Sequence, residues 1–335
     1  MEKLTIKDIA RLANVSTATV SNYLNGNYSR MSEKTRKRLK DMIRETNYVP
    51  SSVARGLATN HNKTIGVSVT DITNPFTSTV LSGIYDACGK LGYTVVFTNA
   101  SSDSTREIDN VNKLKHQEVS GLIIDPVDAE NAIFKTLSND STVMIDRQAA
   151  AVKIDSVVTD NYNAVNKFVG NMKKGGYIDE DLYFISWPLR NVSTRLERYR
   201  GFKAATGIKD DSHLIFVDDS GDDQYFISQI KQIIDRKRSG KVGFFTMNGR
   251  VLLHLLKAMQ ALNYRYPDDV GIGSYEDLDW MGIIQPGISC IHQDSFNLGV
   301  TAVNTLVRKL EDEKTKHFVA QLIEVPTMIK MRGSY

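Results

Sequence analysis

From Thr5 to Leu24 the chain reads TIKDIARLANVSTATVSNYL, and its apolar residues fall at helical spacing. Ile6, Ile9, Ala10 and Ala13 recur at i, i+3, i+4 and i+7, one face of a helix. Thr5 stands just before that face with Asp8 three residues on, a capping box with Asp in place of Glu. Asn14-Val15-Ser16 breaks the pattern. Val15 supplies an apolar contact in the turn, and Ser16 can cap a second helix over Thr17 to Leu24. That helix buries Val20 and Leu24. Its other side shows Thr17, Ala18, Ser21 and Asn22, short side chains that leave it slim enough for a DNA major groove. Asn25-Gly26-Asn27 then turns the chain, and Ser32 caps a third helix, Glu33 to Thr46, with Leu39, Met42 and Ile43 on its apolar face. The pattern predicts an all-α helix-turn-helix headpiece over residues 1–49.

The next stretch is ambiguous. Tyr48-Val49-Pro50 ends the third helix, and Ser51 to Leu57 has room for two helical turns at most before the polar run Thr59-Asn60-His61-Asn62. So short a helix is unstable alone, because nucleation is costly. Residues 50–62 are therefore either a plain linker or a hinge helix that folds only where two copies meet over a minor groove. From Thr64 the texture changes to short β-branched runs alternating with amphipathic stretches, the pattern of a parallel α/β sheet. The strands are TIGVSV, YTVVFTN, SGLIIDP and TVMIDR, then DLYFIS, HLIFVD, KVGFFTM and VGIGSY, with ISCIHQ, HFVAQLIEV and TMIKMR late. Strand–helix repetition on either side of Thr159-Asp160-Asn161 suggests two doubly wound lobes.

Length and composition fit this division. At 335 residues the chain suits a small domain plus a two-lobed body. With 41% hydrophobic and 24% charged residues it reads as an ordinary globular protein. No apolar run of membrane-spanning length appears, and Met1-Glu2-Lys3-Leu4 leads into the capped helix without a signal-peptide pattern, so a cytoplasmic protein is expected. Cys88 and Cys290 make no metal or disulfide framework and read as buried thiols. The net charge of +3 conceals an asymmetry: residues 1–63 hold 12 Lys and Arg against 5 Asp and Glu, whereas the remainder is mildly acidic. A basic head suggests a polyanion partner for the head alone; a merely solvated surface is the plainer alternative.

In open α/β sheets ligands bind beyond the carboxyl ends of the strands. The polar and aromatic residues there are Asp71, Asn74 and Phe76 after the first strand, Asp125, Asp146 and Arg147, and Asp160 after VVT. In the second half they are Trp187 and Arg190, Arg195 and Arg198 at the next helix start, Asn248, and Tyr275-Glu276-Asp277. Each taken singly can be a cap or turn residue. Asp146-Arg147 can be a structural ion pair, Glu276 can be locked to an arginine, and Phe76 and Trp187 can stack on a sugar ring or plug the cleft. Guanidinium pairs bidentately with carboxylate or phosphate, so Arg147, Arg190, Arg195 and Arg198 near one cleft favour a sugar acid or phosphorylated sugar over a neutral hexose. Enzyme signatures are missing. Gly271-Ile272-Gly273 lacks the third glycine of a dinucleotide fingerprint, and the six histidines are unclustered. No metal or cofactor is expected.

TIKDIARLANVSTATVSNYLNG, SEKTRKRL and NYVPSSVARGL resemble the headpiece of the lactose/galactose-repressor family of bacterial transcription regulators. NGNYSRMSEKTRKRL and NVSTRLERYRGF resemble its ketodeoxygluconate-type members. The resemblance implies a repressor that binds a palindromic operator as a homodimer, with a core of periplasmic-binding-protein type over residues 63–335. It implies a first lobe of about 63–160 and 291–324 and a second of about 161–290 and 325–335, with the ISCIHQ strand and its helix returning to the first lobe and three crossovers near Asp160, Gln293 and Val325. It places Thr5, Ser16, Thr17, Ala18, Ser21 and Asn22 at the DNA, Asn25, Ser32 and Thr35 on its backbone, Val53, Ala54 and Arg55 in the hinge, and Leu57 as a minor-groove wedge. The helices from Phe76 to Leu91 and 295–311 are expected at the dimer interface, and the absence of a leucine heptad after the body speaks against a tetramer. The family pattern departs at Ser51, usually asparagine, and at Asn22, often arginine. Among effector residues it matches Asp146, Arg147, Arg198, Asn248 and Glu276, and Arg198 is expected even where the effector is a neutral sugar. The competing readings are a secreted solute-binding or sensor protein for a neutral sugar or sugar phosphate, and a regulator that needs a co-repressor.

Overall fold

The structure, a computed structural model, describes residues 4–24, 26–46, 48, 63–149, 151–218, 223–238, 240–312 and 317–335. The chain divides into two compact units, Met1–Lys63 and Thr64–Tyr335. In the first, α1 (Ile6–Leu12), α2 (Thr17–Leu24) and α3 (Glu33–Glu45) close over Ile9, Ala10, Ala13, Val20 and Leu39. Val15, Leu24, Met42, Ile43 and Tyr48 lie half-buried against them. The caps are local. The Thr5 N–H donates to the Asp8 carboxylate at 2.9 Å, and the Asp8 N–H returns to Thr5 Oγ1 at 3.4 Å. Ser16 Oγ accepts the Thr19 N–H at 3.1 Å, and Ser32 Oγ accepts that of Thr35 at 3.2 Å. Thr46, expected inside the third helix, is its C-cap, with its hydroxyl turned back onto the Met42 carbonyl at 2.7 Å.

The second unit holds two six-stranded sheets. The first contains β1 (Thr64–Val69), β2 (Thr94–Asn99), β3 (Gly121–Ile124), β4 (Thr142–Ile145), β5 (Asp155–Thr159) and β11 (Leu322–Val325). Its order is β11-β5-β4-β3-β1-β2, all parallel. Helices α4 (Pro75–Lys90) and α10 (Ser295–Glu311) pack on one face over Ile84, Leu298 and Leu306. Helix α5 (Ser104–His116) covers Val111 and Leu114 on the other. α4 and α10 cross closely because glycines meet there: a Cβ on Gly83 would lie 2.0 Å from the Phe296 carbonyl oxygen, and one on Gly299 2.3 Å from that of Val80.

The second sheet contains β6 (Leu182–Ser186), β7 (Leu214–Phe216), β8 (Val242–Thr246), β9 (Val270–Tyr275), β10 (Ser289–Gln293) and β12 (Thr327–Lys330), ordered β12-β10-β9-β8-β6-β7. Only β12 runs antiparallel. Helices α6 (Asn161–Lys174), α7 (Ser193–Thr206), α8 (Gln224–Asp235) and α9 (Gly249–Leu262) surround a core rich in phenylalanine, with Phe168, Phe184, Phe202, Phe244 and Phe245 wholly buried.

One expectation is corrected. The ISCIHQ strand, expected to return to the first lobe, is β10 of the second sheet, paired with β9 and β12. Only the following helix, α10, packs in the first lobe. The chain therefore crosses after Gln293, and the expected boundary at 291 falls inside a strand. The HFVAQLIEV and TMIKMR segments likewise supply one strand to each sheet rather than a pair. No described helix is long and apolar enough to cross a membrane.

Candidate functional site

Two surfaces carry candidate chemistry. In the headpiece, Thr17 and Ala18 are exposed and Ser21 and Asn22 half-buried on α2, and Thr35 is half-buried on α3. Thr5, Ser16 and Ser32, read as DNA contacts, are N-caps whose hydroxyl oxygens already accept backbone N–H groups. The Thr5 hydroxyl also donates to the Asp8 carboxylate at 2.7 Å, and those of Ser16 and Ser32 each share a hydrogen bond of 2.9 Å with the hydroxyls of Thr19 and Thr35. Asn25, Val53, Ala54, Arg55 and Leu57 lie outside the described residues.

The second surface is a cavity of about 250 Å³ at the strand ends. Its wall comes from both sheets. Thr70 and Asp71 follow β1, Asp125 follows β3, and Asp146 and Arg147 follow β4; Trp187 follows β6, Asp218 lies just past β7, and Asn248 follows β8. Nine residues expected at the effector site meet here: Asn74, Phe76, Asp125, Asp146, Arg147, Trp187, Arg190, Arg195 and Asn248. Two of them cap helices. Asn74 accepts the Phe76 N–H at 3.1 Å, and Asn248 accepts that of Val251 at 3.0 Å. Trp187 stands edge-on to His254, ring centroids 5.4 Å apart.

The ionisable groups of the cavity are short of partners. Asp125 takes the Thr70 N–H on Oδ2 at 3.3 Å, but its Oδ1, together with Asp146 Oδ1, Arg147 Nε and Arg195 Nε, is buried without a hydrogen-bond partner. Arg147 Nε lies 3.6 Å from Asp125 and 3.9 Å from Asp146, close enough for charge attraction yet too far for a hydrogen bond. Burial pushes both carboxyls above the usual range, with Arg147 pulling Asp125 back and Arg198 and Arg147 pulling Asp146 back. Arg195 donates to the Pro188 carbonyl at 2.7 Å. Burial, and after it repulsion from Arg147, Arg190 and Arg198, push its guanidinium down to about 10. Asp146 and Arg190 also take left-handed backbone, φ 61° and 44°. Non-glycine residues there cost on the order of 1–3 kcal/mol each, and such strain concentrates at ligand sites.

Three expected residues are not in this wall. Arg198 is buried behind it. Its Nε donates to Asn161 at 2.7 Å and its Nη1 to the Met247 carbonyl at 2.8 Å, and it lies 3.6 Å over the Tyr275 ring. It sits one turn deeper on α7 than Arg195. Asp160 caps α6 through the Asn163 N–H at 3.0 Å. Glu276 has φ 75° and accepts the Gly249 N–H at 3.0 Å. Burial, opposed by Arg198, pushes it up to about 7. It faces a second cavity of about 450 Å³ between the start of α4 and the loop after β9, with Trp280 and Phe296; Phe76 lines both.

Sequence reasoning passed over Thr70, Ser102, Asp218 and Arg250, all in the wall of the first cavity. A signal was present: Arg250 is two residues past the Asn248 cap, and Ser102 and Asp218 lie just past β2 and β7. Among the described residues no group of three or more His, Cys, Asp or Glu is placed to hold a metal.

Comparison with known proteins identifies the domains that carry the two surfaces. Residues 5–51 match the family described as bacterial regulatory proteins, lacI family, and residues 65–314 match a periplasmic binding protein domain. The HTH-type transcriptional regulator KdgR of Bacillus subtilis is 30% identical over 334 residues, covering 98% of this chain and 97% of its own. The regulator PtxS of Pseudomonas putida is likewise 30% identical, covering 99% and 96%. A lac repressor dimer bound to operator and an anti-inducer superposes with a TM-score of 0.84 at 23% identity, over 99% of both chains, which speaks for the fold.

Proposed function

The chain belongs to the lacI family of bacterial regulatory proteins, DNA-binding transcriptional regulators and not enzymes, and on that premise we propose a repressor of sugar-acid catabolic genes. It binds a palindromic operator as a homodimer and lets go when a sugar acid enters the cavity between the lobes. Residues 1–49 read the major groove, with Thr17, Ala18 and Asn22 toward the bases. Residues 50–62 form the hinge, and 63–335 bind effector and dimerise.

One observation carries the effector class. The cavity collects Arg147, Arg190, Arg195 and Arg250 beside two buried carboxylates, and Arg147 and Arg195 each keep an unpartnered Nε. Cations this crowded repel one another, and an anion among them relieves the repulsion. The unpartnered oxygens of Asp125 and Asp146 suit the hydroxyls of the same ligand. An acid bearing several hydroxyls satisfies both sets, whereas a neutral sugar brings no charge to Arg147 Nε and Arg195 Nε. Likeness to KdgR and to PtxS supports the regulator reading and leaves the choice of acid to experiment.

Effector can act only by binding one lobe arrangement better than another. A coupling of roughly 1–3 kcal/mol between effector and operator is typical. The test is a melting-temperature screen against 2-keto-3-deoxygluconate, gluconate, phosphorylated sugars and glucose, since a ligand that binds only the folded state raises it. A rise with a sugar acid that disappears in Arg195→Ala is expected. A rise with glucose alone defeats the proposal.

A further inference from the structure

The two lobes share more than the three covalent crossovers. Across the cavity, Arg250 Nη1 of α9 lies 3.0 Å from Asp71 Oδ2, which follows β1. Among the described residues this is the only ion pair that joins one lobe to the other. Nearby, the Gln148 N–H donates to Ser193 Oγ at 2.9 Å. Asp71 is held ready: its Oδ1 accepts the Thr73 N–H at 3.0 Å and the Thr73 hydroxyl at 2.8 Å, so the free oxygen points at Arg250. Burial opposes the charge on Asp71, but the Thr73 bonds and Arg250 outweigh it and hold the carboxyl below its usual range. Both residues line the cavity that gathers the other arginines.

We infer that Asp71 is a built-in stand-in for the effector's acid group: it occupies Arg250 across the cleft and is displaced from it when a sugar acid binds. The inference rests on the sugar-acid reading above. The contact is made through one oxygen and one nitrogen. The pair is half-buried and made through a single contact, so a carboxylate that meets several of the cavity arginines at once can replace it. The exchange has two consequences. Asp71 competes with every acid that enters, so it sets the affinity of the cleft for anions and leaves neutral sugars alone. Losing the Asp71 contact also removes the one charged tie between the lobes among the described residues, so acid binding and lobe movement are coupled.

The test measures binding of the acid found in the melting screen to the full-length protein by calorimetry. Asp71→Asn keeps the Thr73 hydrogen bonds through its side-chain carbonyl and should fold. It should bind the acid more tightly by up to about fivefold, the most that one weak ion pair releases. Arg250→Gln should bind it less tightly, and adding Asp71→Asn to Arg250→Gln should bring no further gain. Asp218→Asn removes another negative charge from the same cavity without touching Arg250. If it raises affinity as much as Asp71→Asn, the effect is the general field and the inference is overturned. Loss of acid binding in Asp71→Asn would make Asp71 a direct effector contact and overturn it too. Acid binding that is equal in wild type and Asp71→Asn defeats the stand-in alone; a wild type that binds only neutral sugar defeats the sugar-acid reading and the inference with it.

Discussion

The headpiece and the cleft solve recognition in opposite ways. In the headpiece, every buried side chain among the described residues is apolar, and the side chains proposed to face DNA stand in or near water. Binding there asks nothing new of the fold. In the cleft, Asp125, Asp146, Arg198, Asn248 and Glu276 are all buried, and Asp146, Arg190 and Glu276 take left-handed backbone. The cleft is thus held together by charges whose balance a ligand alters. A surface that must recognise a polyanion can be built on an ordinary core, whereas a surface that must respond to a small molecule is itself part of the core.

Mutation separates the two. Arg198→Ala should have the largest effect, because it strips Asn161 and the Met247 carbonyl of a donor and leaves Asp146 and Glu276 without the buried cation that most favours their charge. Breaking a buried charge network in this way costs about 3–5 kcal/mol. Urea unfolding of the core should show that loss, and an unchanged midpoint would mean that the cleft is not held by its charges. Leu39→Ala comes next, at about 2–5 kcal/mol for a wholly buried leucine. So small a headpiece should unfold, abolishing operator binding while the acid-induced rise in melting temperature persists. If that rise were lost as well, the two regions would not be as separate as they look.

The third prediction uses pH. Glu276 is pushed from an ordinary value near 4.5 up to about 7, so between those values the folded protein keeps a proton that the unfolded chain has released. Its contribution to stability is therefore undiminished below pH 4.5 and is lost as pH rises toward 7, at up to roughly 1.4 kcal/mol per unit. Glu276→Gln can still accept the Gly249 N–H and should flatten that part of the urea-midpoint profile. A slope equal to that of wild type would assign the titration to another group. Smallest is Ser32→Ala, which removes the cap of α3 and should cost about 0.5–2 kcal/mol of headpiece stability with no change in acid binding.

The contrast also explains what could be read from the sequence. The headpiece helices and caps were legible because their determinants lie within four residues: Thr5 with Asp8, Ser16 with Thr19, Ser32 with Thr35. The cleft was legible as far as the strand-end rule reaches, which brought together Asp125, Asp146, Arg147, Trp187 and Asn248. The rule cannot distinguish a side chain in the wall from one a turn deeper, and the family match favoured Arg198 over Arg195 although only Arg195 lines the cavity. Nor can it pair residues across the cleft. Asp71 stood out as a residue after a strand, but Arg250, 179 positions away, gained its meaning only from the fold. The misplacement of β10 has a similar cause: a strand followed by a helix reads the same in either lobe, and only pairing with β9 decides.

The last crossover sets the mechanics of the whole core. β11 ends at Val325 in one sheet and β12 begins at Thr327 in the other, so a single residue, Pro326, spans the two lobes. A tether of one residue has no slack, and proline fixes one of its two soft torsions. The lobes cannot slide apart or exchange faces at this point; they can only turn about an axis passing close to it. Pro326 therefore works as a pivot pin, and a small change of angle at the effector cavity becomes a larger sweep at whatever part of either lobe lies farthest from that pin.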